Sequence, residues 1–248
     1  MDDQYDRLAG KYPLLFTDPQ DIGKQLIKKL TETLHLDLAK LSILDCACGA
    51  GIELAHLEKL GGRVTGSDKS DGMLIQAKKY FDSLGISLPL IQCEWKKLSS
   101  KISERYDLVL CTGNSISHCL DSSEMDQSIG GMAEMLTHSG TLVVTSRNWE
   151  QIVKDNPRFW VMNSHLHDSK RITPIYVWDL KGMNEKTAVE ILFVEDNNGD
   201  TTFEAHTIHL RPFAQPQLLD SFRKSGLSDI EVIPDKKDTW YWVTARKI

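Results

Sequence analysis

The apolar positions in the first part of the chain follow two alternating periods. Behind Asp18-Pro19, which favours a helix start, apolar residues recur every fourth position from Ile22 to Leu34. From residue 41 onward, short apolar runs predict strands at 41–44, 63–67, 88–93, 107–111 and 141–146. Helical spacing predicts the intervening helices at 52–60, 71–84 and 122–136. Because each right-handed crossover needs a helix, this order predicts a parallel sheet with helices on both faces.

The pattern changes after about residue 158. Strand-like runs at 172–180, 188–195 and 203–210, separated by turn-rich segments, predict an antiparallel meander. A helix at 216–224 and strands near 230–233 and 240–245 follow. The predicted fold is α/β and Rossmann-like, a mostly parallel seven-stranded sheet ending in an antiparallel strand, with an inserted antiparallel β cap.

We expect one structural domain built from three parts. An N-terminal helical segment comprises residues 1–40, the core comprises 41–158 and 214–248, and the inserted cap comprises 159–213. The insertion explains why the chain is longer than a single α/β core requires.

Composition narrows the class of protein. Of the 248 residues, 41% are apolar and 26% charged, which is typical of a globular protein with a full core. The net charge of −6 disfavours nucleic acid as a partner, because nucleic-acid binding uses a surplus of Lys and Arg. The pattern predicts no membrane span and no signal peptide, and five cysteines without a CxxC pair favour reduced, buried thiols. We therefore expect a cytoplasmic enzyme. The Lys236-Lys237 pair is expected to be a solvated charge pair.

The main candidate for a ligand site is the loop after the first predicted strand. Asp45 ends this strand, and Gly49-Ala50-Gly51 leads directly into a helix. Small residues let the backbone approach a ligand, and the helix N-terminus presents unpaired N–H groups. Asp68 stands 17 residues beyond Gly51, at the end of the next strand, where a carboxylate can accept both hydroxyls of a ribose. The combination predicts a nucleoside-binding site.

Two residues bear on which nucleoside ligand is bound. Leu54 replaces the third glycine of a dinucleotide fingerprint. Asp45 would repel a phosphate but would hold a cation or an ammonium group. S-adenosylmethionine fits these constraints because it has a ribose diol, a zwitterionic methionyl end and no phosphate. NAD is the alternative ligand.

Several segments carry a resemblance to a known family. Residues 44–51, Leu-Asp-Cys-Ala-Cys-Gly-Ala-Gly, resemble motif I of class I S-adenosylmethionine-dependent methyltransferases. Residues 109–118 and 146–152 are similar to paired motifs of the glycine/sarcosine N-methyltransferase group and its bacterial relatives. Further similarity lies at Tyr5-Asp6-Arg7-Leu8-Ala9, Tyr12, Phe16 and the Tyr176–Trp178 strand. The resemblance implies the class I methyltransferase fold, S-adenosylmethionine as cofactor, and an N-terminal segment that closes over it.

The resemblance also implies cofactor contacts. Ala47 and Gly49 would line the methionyl side, and Asp68 would hold the ribose. Trp95 falls where the family contacts adenine, although Glu94 departs from the Asn or Asp that commonly precedes it. The full implied set is Lys24, Ala47, Gly49, Gly51, Asp68, Glu94, Trp95, Thr112 and His118. Lys24 stands where relatives tend to carry an Arg that pairs with the methionyl carboxylate.

Methyl transfer from a sulfonium is an in-line displacement, so the protein mainly positions the acceptor and excludes water. Arg147, at the carboxyl end of the fifth strand, is the candidate for holding an acceptor carboxylate, and its alternative role is an ion pair with Glu150. Asn114, after the fourth strand, is the candidate for accepting a hydrogen bond from an acceptor amine or hydroxyl. Its alternative role is to cap a turn.

Aromatic residues complete the expected site. Tyr12 would close over the site from the N-terminal segment, and Tyr176 and Trp178 would contact substrate from the inserted sheet. Their alternative role is core packing. His118 is expected to bind rather than to act as a base, and its alternative role, the more common one for a lone His, is a structural hydrogen bond.

No metal site is expected. The residues that could be considered as metal ligands are His165, His167 and Asp168, and the pair His206 and His209. On a strand, the last two side chains would point to opposite faces, and no third ligand has a recognisable spacing.

The favoured function is therefore transfer of a methyl group to a small-molecule acceptor, most simply the amine nitrogen of a glycine- or sarcosine-like substrate with a carboxylate. One alternative is O- or C-methylation of a natural product. Another is a non-catalytic S-adenosylmethionine-binding protein. The sequence leaves open the acceptor, the number of methyl groups transferred and the oligomeric state.

Overall fold

The structure is a computed structural model that describes residues 3–235 and 239–248, so the Lys236-Lys237 pair lies outside the described residues. The helices are α1 (Gln4–Leu8), α2 (Pro19–Leu34), α3 (Ile52–Lys59), α4 (Asp71–Leu84), α5 (Leu98–Lys101), α6 (Ser122–Glu134), α7 (Trp149–Asp155) and α8 (Gln215–Lys224). The strands are β1 (Ser42–Asp45), β2 (Arg63–Asp68), β3 (Leu90–Gln92), β4 (Tyr106–Cys111), β5 (Leu136–Arg147), β6 (Phe159–Val161), β7 (His165–His167), β8 (Lys170–Asp179), β9 (Thr187–Asn197), β10 (Asp200–Leu210), β11 (Leu227–Pro234) and β12 (Trp240–Lys247).

Seven strands form one sheet in the order β11-β12-β5-β4-β1-β2-β3. The strands β1 to β5 pair in parallel, and β12 is antiparallel to both of its neighbours. The direction of winding changes between β1 and β4, so a crevice opens outside the carboxyl ends of these strands. The predicted α/β sheet with an antiparallel strand is confirmed.

The central strands are buried on both faces, as their continuous apolar runs require. Ile43 and Leu108 pack with residues of α2, α3 and α4 on one face. Leu44 and Val109 pack on the other face with residues of α6, α8 and the second sheet. This two-sided burial fixes the strand ends that carry the candidate site.

The second sheet is antiparallel and contains β6 to β10 in the order β10-β9-β8-β6, with β7 also paired to β8. Asn198 and Gly199 join β9 to β10 with φ values of 53° and 93°, as a type I′ hairpin turn requires. Trp178, Val189 and Phe193 lie on its inner face and are buried against the core. The predicted antiparallel insertion is confirmed.

The hydrophobic pattern of the sequence does not predict some elements, because they are short or polar. The helices α1 and α7 have 5 and 7 residues, and β6 and β7 have 3 each, too few to show a period. Strand β5 begins at Leu136 rather than 141, and Ser139 has a φ of 67° beside a register shift in the pairing with β4. The polar residues around this bulge hide the start of the strand.

The structure also describes the state of the cysteines and the length and apolar character of the helices. All five cysteines are free and buried. Among the described residues, none of the helices combines the length and the apolar character that crossing a membrane takes.

Candidate active site

Two adjoining cavities lie at the carboxyl ends of the central strands. The Asp68 cavity has a volume of about 670 Å³ and includes Asp68 and Trp95. The Arg147 cavity has a volume of about 330 Å³ and includes Arg147 and Thr112. Their shared walls are formed by Tyr5, Tyr12, Ala47, Gly49, Gly113, Ser115 and His118. One ligand can therefore reach from the first cavity into the second.

The glycine loop connects β1 to α3 through left-handed backbone. Gly49 has a φ of 50° and Gly51 a φ of 76°, conformations that other residues adopt only with strain. Gly49 lines both cavities. A Cβ on Gly51 would lie 2.7 Å from the Phe81 ring, so this glycine lets α3 approach α4. Gly51 lines neither cavity.

Asp68 is held in place by two backbone donors. Its Oδ2 accepts a hydrogen bond from Gly49 N at 2.9 Å, and its Oδ1 accepts one from Ser70 N at 2.9 Å. Burial raises the pKa of Asp68 to about 6, although both backbone donors act to lower it. Each oxygen keeps a lone pair for a further donor, so the carboxylate is suited to the two hydroxyls of a ribose.

The methionyl side of the predicted site is strongly acidic. Asp45 Oδ1 accepts a hydrogen bond from Ala47 N at 3.1 Å, whereas the buried Oδ2 has no partner among the described residues. Burial raises the pKa of Asp45 well above its usual range, and the charges of Glu53 and Asp68 raise it further. Glu53 accepts a hydrogen bond from Thr112 Oγ1 at 2.7 Å. A cation would relieve this crowding of acids, whereas a phosphate would aggravate it.

Trp95 and Glu94 form part of the wall of the Asp68 cavity. The Trp95 indole donates a hydrogen bond to the Cys46 carbonyl at 2.7 Å, which fixes the ring against the end of β1. Glu94 forms ion pairs with Lys96 and Lys97 at 3.6 and 3.2 Å. The flat indole is the feature of this wall best suited to an adenine ring.

His118 fastens the N-terminal segment over both cavities. Its Nδ1 donates to the His209 carbonyl at 2.7 Å, and its Nε2 accepts from the Tyr5 hydroxyl at 2.9 Å. Burial lowers the pKa of His118, so the ring is neutral near pH 7. Gln4 Oε1 accepts from His209 N at 2.7 Å, and Tyr12 packs edge-on against Tyr5. The structural role that the sequence left open for His118 is thus present beside its position in the cavity wall.

Arg147 is a half-buried residue whose guanidinium is surrounded by aromatic rings. Its guanidinium carbon lies 4.6 Å from the centre of the Trp160 ring, 5.1 Å from Trp240, 5.5 Å from Trp178 and 5.9 Å from Tyr176. Its Nη1 is buried and has no hydrogen-bond partner among the described residues. Burial lowers the pKa of Arg147, but a guanidinium stays protonated in proteins.

The alternative ion pair between Arg147 and Glu150 is absent from the described structure. Glu150 Oε2 instead accepts a hydrogen bond from Gln215 N at 3.4 Å. The rings stabilise the guanidinium charge without satisfying its hydrogen-bond donors, so Arg147 is suited to an anionic ligand group.

Asn114 links the ends of β4 and β5. It has a φ of 68°, and its Oδ1 accepts a hydrogen bond from Arg147 N at 3.1 Å. Its Nδ2 donates to Ser117 Oγ at 2.8 Å. The oxygen expected to receive an acceptor amine is therefore bonded to the backbone of β5, and Asn114 positions Arg147.

Of the predicted site residues, the structure brings all but two into the cavity walls. The residues that line one or both cavities are Tyr12, Ala47, Gly49, Asp68, Glu94, Trp95, Thr112, Asn114, His118, Arg147, Tyr176 and Trp178. Gly51 acts in helix packing, as described above. Lys24 is 63% exposed and pairs with Asp21 at 3.3 Å, because it lies on the solvent side of α2 while Gly23 packs against His56.

Sequence reasoning missed several members of the site. Gln4 and Tyr5 belong to a helix too short to show a period, and Glu53 is an ordinary acid in the first turn of α3. Trp160 and Trp240 come from β6 and β12, at opposite ends of the last third of the chain. The acidic first turn directly after a glycine loop was the one local signal available.

Comparisons with known proteins agree with this geometry. Residues 43–140 match a family model described as a methyltransferase domain. The chain is 27% identical over 137 residues to the glycine/sarcosine N-methyltransferase of Aphanothece halophytica, covering 55% of this chain and 52% of the relative. It is 31% identical over 111 residues to that of Halorhodospira halochloris, covering 45% and 41%. The matched part thus spans about half of these relatives or less.

Similarity to solved structures extends over nearly the whole chain. Streptomyces venezuelae DesVI superposes with a TM-score of 0.76 at 18% identity, covering 94% of this chain and 93% of DesVI. At this identity the match shows the fold. The fold, the methyltransferase-domain match over residues 43–140 and the curated relatives confirm the resemblance, found in the sequence, to the class I S-adenosylmethionine-dependent methyltransferases.

Proposed function

We propose that the chain transfers a methyl group from S-adenosylmethionine to the amine nitrogen of a small acceptor that bears a carboxylate. The observation that carries the acceptor class is the Arg147 guanidinium, whose buried Nη1 has no hydrogen-bond partner among the described residues. An unpaired buried cation is costly, and an acceptor carboxylate would satisfy it with charge-assisted hydrogen bonds.

The Asp68 cavity and the acidic loop support the cofactor. Asp68 would hold the ribose hydroxyls, Trp95 would lie along the adenine, and Asp45 with Glu53 would balance the positive methionyl end. When bound, the cofactor supplies a sulfonium-activated methyl group. The cavities adjoin through Gly49 and Ala47, so an acceptor held by Arg147 would face the methionyl end.

The residues of the Arg147 cavity would orient the acceptor and exclude water. Arg147 would fix the carboxylate, and Asn114 would fix Arg147 through the backbone of β5. The N-terminal segment, fastened by the Tyr5–His118 hydrogen bond, would close the site to solvent. Exclusion of water would favour the neutral, nucleophilic form of the acceptor amine, which would lose its proton to solvent before it is enclosed.

The wall beyond Arg147 supports acceptors larger than glycine. Val189 lies directly opposite Trp178 in the sheet register, and Ile191 lies opposite Tyr176. These residues and Ile208 line the Arg147 cavity with apolar surface. Glycine or sarcosine would leave this wall without contacts, whereas an apolar substituent would cover it. We therefore include amino acids with apolar side chains in the proposed acceptor class.

The test is a cofactor-binding measurement followed by a matched acceptor panel. Calorimetry is expected to show binding of S-adenosylmethionine and none of NAD. Release of S-adenosylhomocysteine is then compared for glycine, sarcosine, alanine, leucine and phenylalanine, each beside the amine that lacks the carboxylate. We expect turnover only with the carboxylate-bearing member of a pair.

Each alternative has its own outcome in this test. Turnover with phenols or carbon nucleophiles and none with amines would indicate the O- or C-methylation alternative. Cofactor binding without turnover on any acceptor would indicate a binding protein. Either result would contradict the proposed function.

A further inference from the structure

The outer face of the inserted sheet is apolar, although it points away from the core. On β9, Val189, Ile191 and Phe193 face inward and are buried. The alternate residues Leu192 and Val194 point to the opposite face, so the run from Ile191 to Val194 is apolar on both sides. An antiparallel sheet with one face in water normally alternates apolar and polar residues.

The register extends this apolar face across four strands. Leu192 lies opposite Ile175 on β8 and Ala205 on β10, and Ile175 lies opposite Val161 on β6. Glu190, opposite Val177, and Asp196, opposite Arg171, also lie on this face, and its other apolar positions are Phe159, Val177, Val194, Phe203 and Leu166. We call the nine apolar residues the outer patch.

Nothing in the described part of the chain covers the outer patch. Phe159, Val161, Leu166 and Phe203 are 60–74% exposed. Scattered exposed apolar residues are normal, but a contiguous apolar patch usually marks an interaction surface. The three long strands β8, β9 and β10, about 4.8 Å apart and 10 or 11 residues long, present a face on the order of 500 Å², to which the short β6 and β7 add. Stable protein interfaces bury about 800 Å² per partner, so two such faces with their rims suffice for a dimer.

Charges at the two ends of β8 point to a second copy of this chain as the partner. Arg171 and Asp179 share the outer face with Ile175 and lie four residues from it in opposite directions. A two-fold axis in the interface, crossing β8 at Ile175, would bring Arg171 of each copy against Asp179 of the other. Arg171 forms no ion pair with the described residues, and the pair between Asp179 and Arg158 is exposed, at 3.7 Å.

We propose that the outer patch is a self-association surface through which two copies pack their inserted sheets face to face. Each surface would supply the same apolar residues at the centre and two reciprocal ion pairs at the ends, as an isologous interface requires. Because the inner face of the same sheet lines the Arg147 cavity, this dimer would also cover the outside of the acceptor wall.

The first test measures mass against concentration by light scattering and sedimentation. The wild-type chain is expected to dimerise at micromolar concentrations. Leu192→Lys places a charge at the centre of the outer patch and is expected to raise the dimer dissociation constant on the order of 100-fold. Ile75→Lys, a similar substitution at an exposed apolar residue of α4, is expected to leave the dimer intact. The melting temperature and S-adenosylmethionine affinity of each variant establish that it is folded.

The second test exploits the two-fold arrangement. R171D and D179R each place like charges against one another in a homodimer and are expected to weaken it. Mixing the two variants restores both ion pairs in the heterodimer, so association is expected to recover. A monomeric wild-type chain, an unimpaired Leu192→Lys dimer, or a mixture that stays monomeric would each overturn the proposal. These outcomes do not depend on the acceptor or on turnover.

Discussion

At the scale of single residues, the candidate site depends on ionisable groups held in unusual surroundings. Arg147 is a cation with aromatic neighbours and no carboxylate partner among the described residues. Asp45 and Asp68 are carboxyl groups whose burial raises their pKa and so favours the protonated form. Both arrangements lower the stability of the free protein. An anionic ligand would offset the cost at Arg147, and a cationic ligand or hydrogen-bond donors would offset it at Asp45 and Asp68.

Arg147→Met is expected to separate acceptor binding from folding. Loss of the guanidinium removes the partner of a buried carboxylate, which costs about 2–5 kcal/mol and raises the acceptor KM roughly 100-fold or more. The S-adenosylmethionine affinity should not change. Methionine fills the aromatic surroundings without a buried charge, so the free energy of unfolding should be unchanged or about 1 kcal/mol higher. Steady-state kinetics, calorimetry and urea unfolding measure the three quantities.

The matched control for Arg147→Met is Arg223→Met, at an exposed ion pair with Asp220 on α8. It should leave the kinetics unaltered. An unchanged acceptor KM in Arg147→Met would contradict the assigned role.

Asp68 is expected to make cofactor affinity depend on pH. Burial raises the pKa of Asp68 to about 6 in the free protein, and ribose hydroxyls need the carboxylate form as acceptor. Affinity for S-adenosylmethionine should therefore be nearly full above about pH 7, about half its full value at pH 6 and about tenfold below its full value at pH 5 through this group alone. Folding stability has the opposite sign. Because the pKa of Asp68 in the unfolded chain is about 3.9, its raised pKa in the folded protein stabilises the fold below about pH 4. This contribution to the free energy of unfolding is lost as the pH rises through 6.

Asp68→Asn is the variant that isolates this effect in calorimetry from pH 5 to pH 8. It should bind the cofactor more weakly at pH 7 and lose the part of the pH dependence that Asp68 causes. Retention of the full wild-type pH profile would assign the titration to another group, such as Asp45 or Glu53.

At the scale of elements, the candidate site is assembled from strand ends and one short helix. Helix α1 has five residues and a capping box formed by Asp3 and Asp6, so it depends on tertiary contacts for its stability. Asp6 accepts hydrogen bonds from Ser70 Oγ at 2.6 Å and Gly72 N at 2.9 Å. These contacts fasten one side of α1 to the N-terminus of α4, and His118 fastens the other.

Tyr5→Phe is expected to loosen this closure selectively. It removes the hydrogen bond to His118 Nε2, which is worth about 1 kcal/mol, and should speed cofactor release about fivefold. Stopped-flow displacement of a fluorescent cofactor analogue measures the rate. Tyr80→Phe is the control, because its hydroxyl accepts from Gln20 at 2.6 Å and Tyr80 lines neither cavity. Equal effects of the two variants would refute a closing role for α1.

The sequence predicts elements well where burial imposes a period over several turns or residues. The run at 71–84 predicts α4 with the bounds that the structure shows, and the apolar strands β1, β2 and β4 are found within one or two residues. Helix α1, with five residues, and strand β6, with three, have no such period.

The residues of the candidate site likewise include some that local sequence predicts and some that it does not. Asp68 is predictable because its place at a strand end follows from local order. The rings around Arg147 come from β6, β8 and β12, and no local pattern relates Trp160 to Trp240.

At the scale of the whole molecule, the inserted sheet completes the wall of the Arg147 cavity, which we propose as the acceptor side of the site. The net charge of −6 does not exclude a carboxylate ligand, because the Arg147 guanidinium provides a local positive charge in the wall of a cavity. The core supplies Arg147 and the acidic loop, whereas the insertion supplies Tyr176, Trp178 and the apolar wall. Acceptor size should therefore be set by the insertion, independently of cofactor binding by the core.

Val189→Phe tests this division of labour. The added ring would enter the Arg147 cavity opposite Trp178 and occupy the space proposed for an apolar substituent. We expect kcat/KM for leucine or phenylalanine to fall at least tenfold, while that for glycine or sarcosine stays within about twofold, since steric loss of a well-packed group costs about 1–3 kcal/mol. Ile75→Phe adds a ring at an exposed residue of α4 that lines neither cavity and should alter neither value of kcat/KM. If Val189→Phe lowers kcat/KM equally for all acceptors, the apolar wall does not select the acceptor's substituent. Unchanged S-adenosylmethionine affinity in the same variant would still assign cofactor binding to the core.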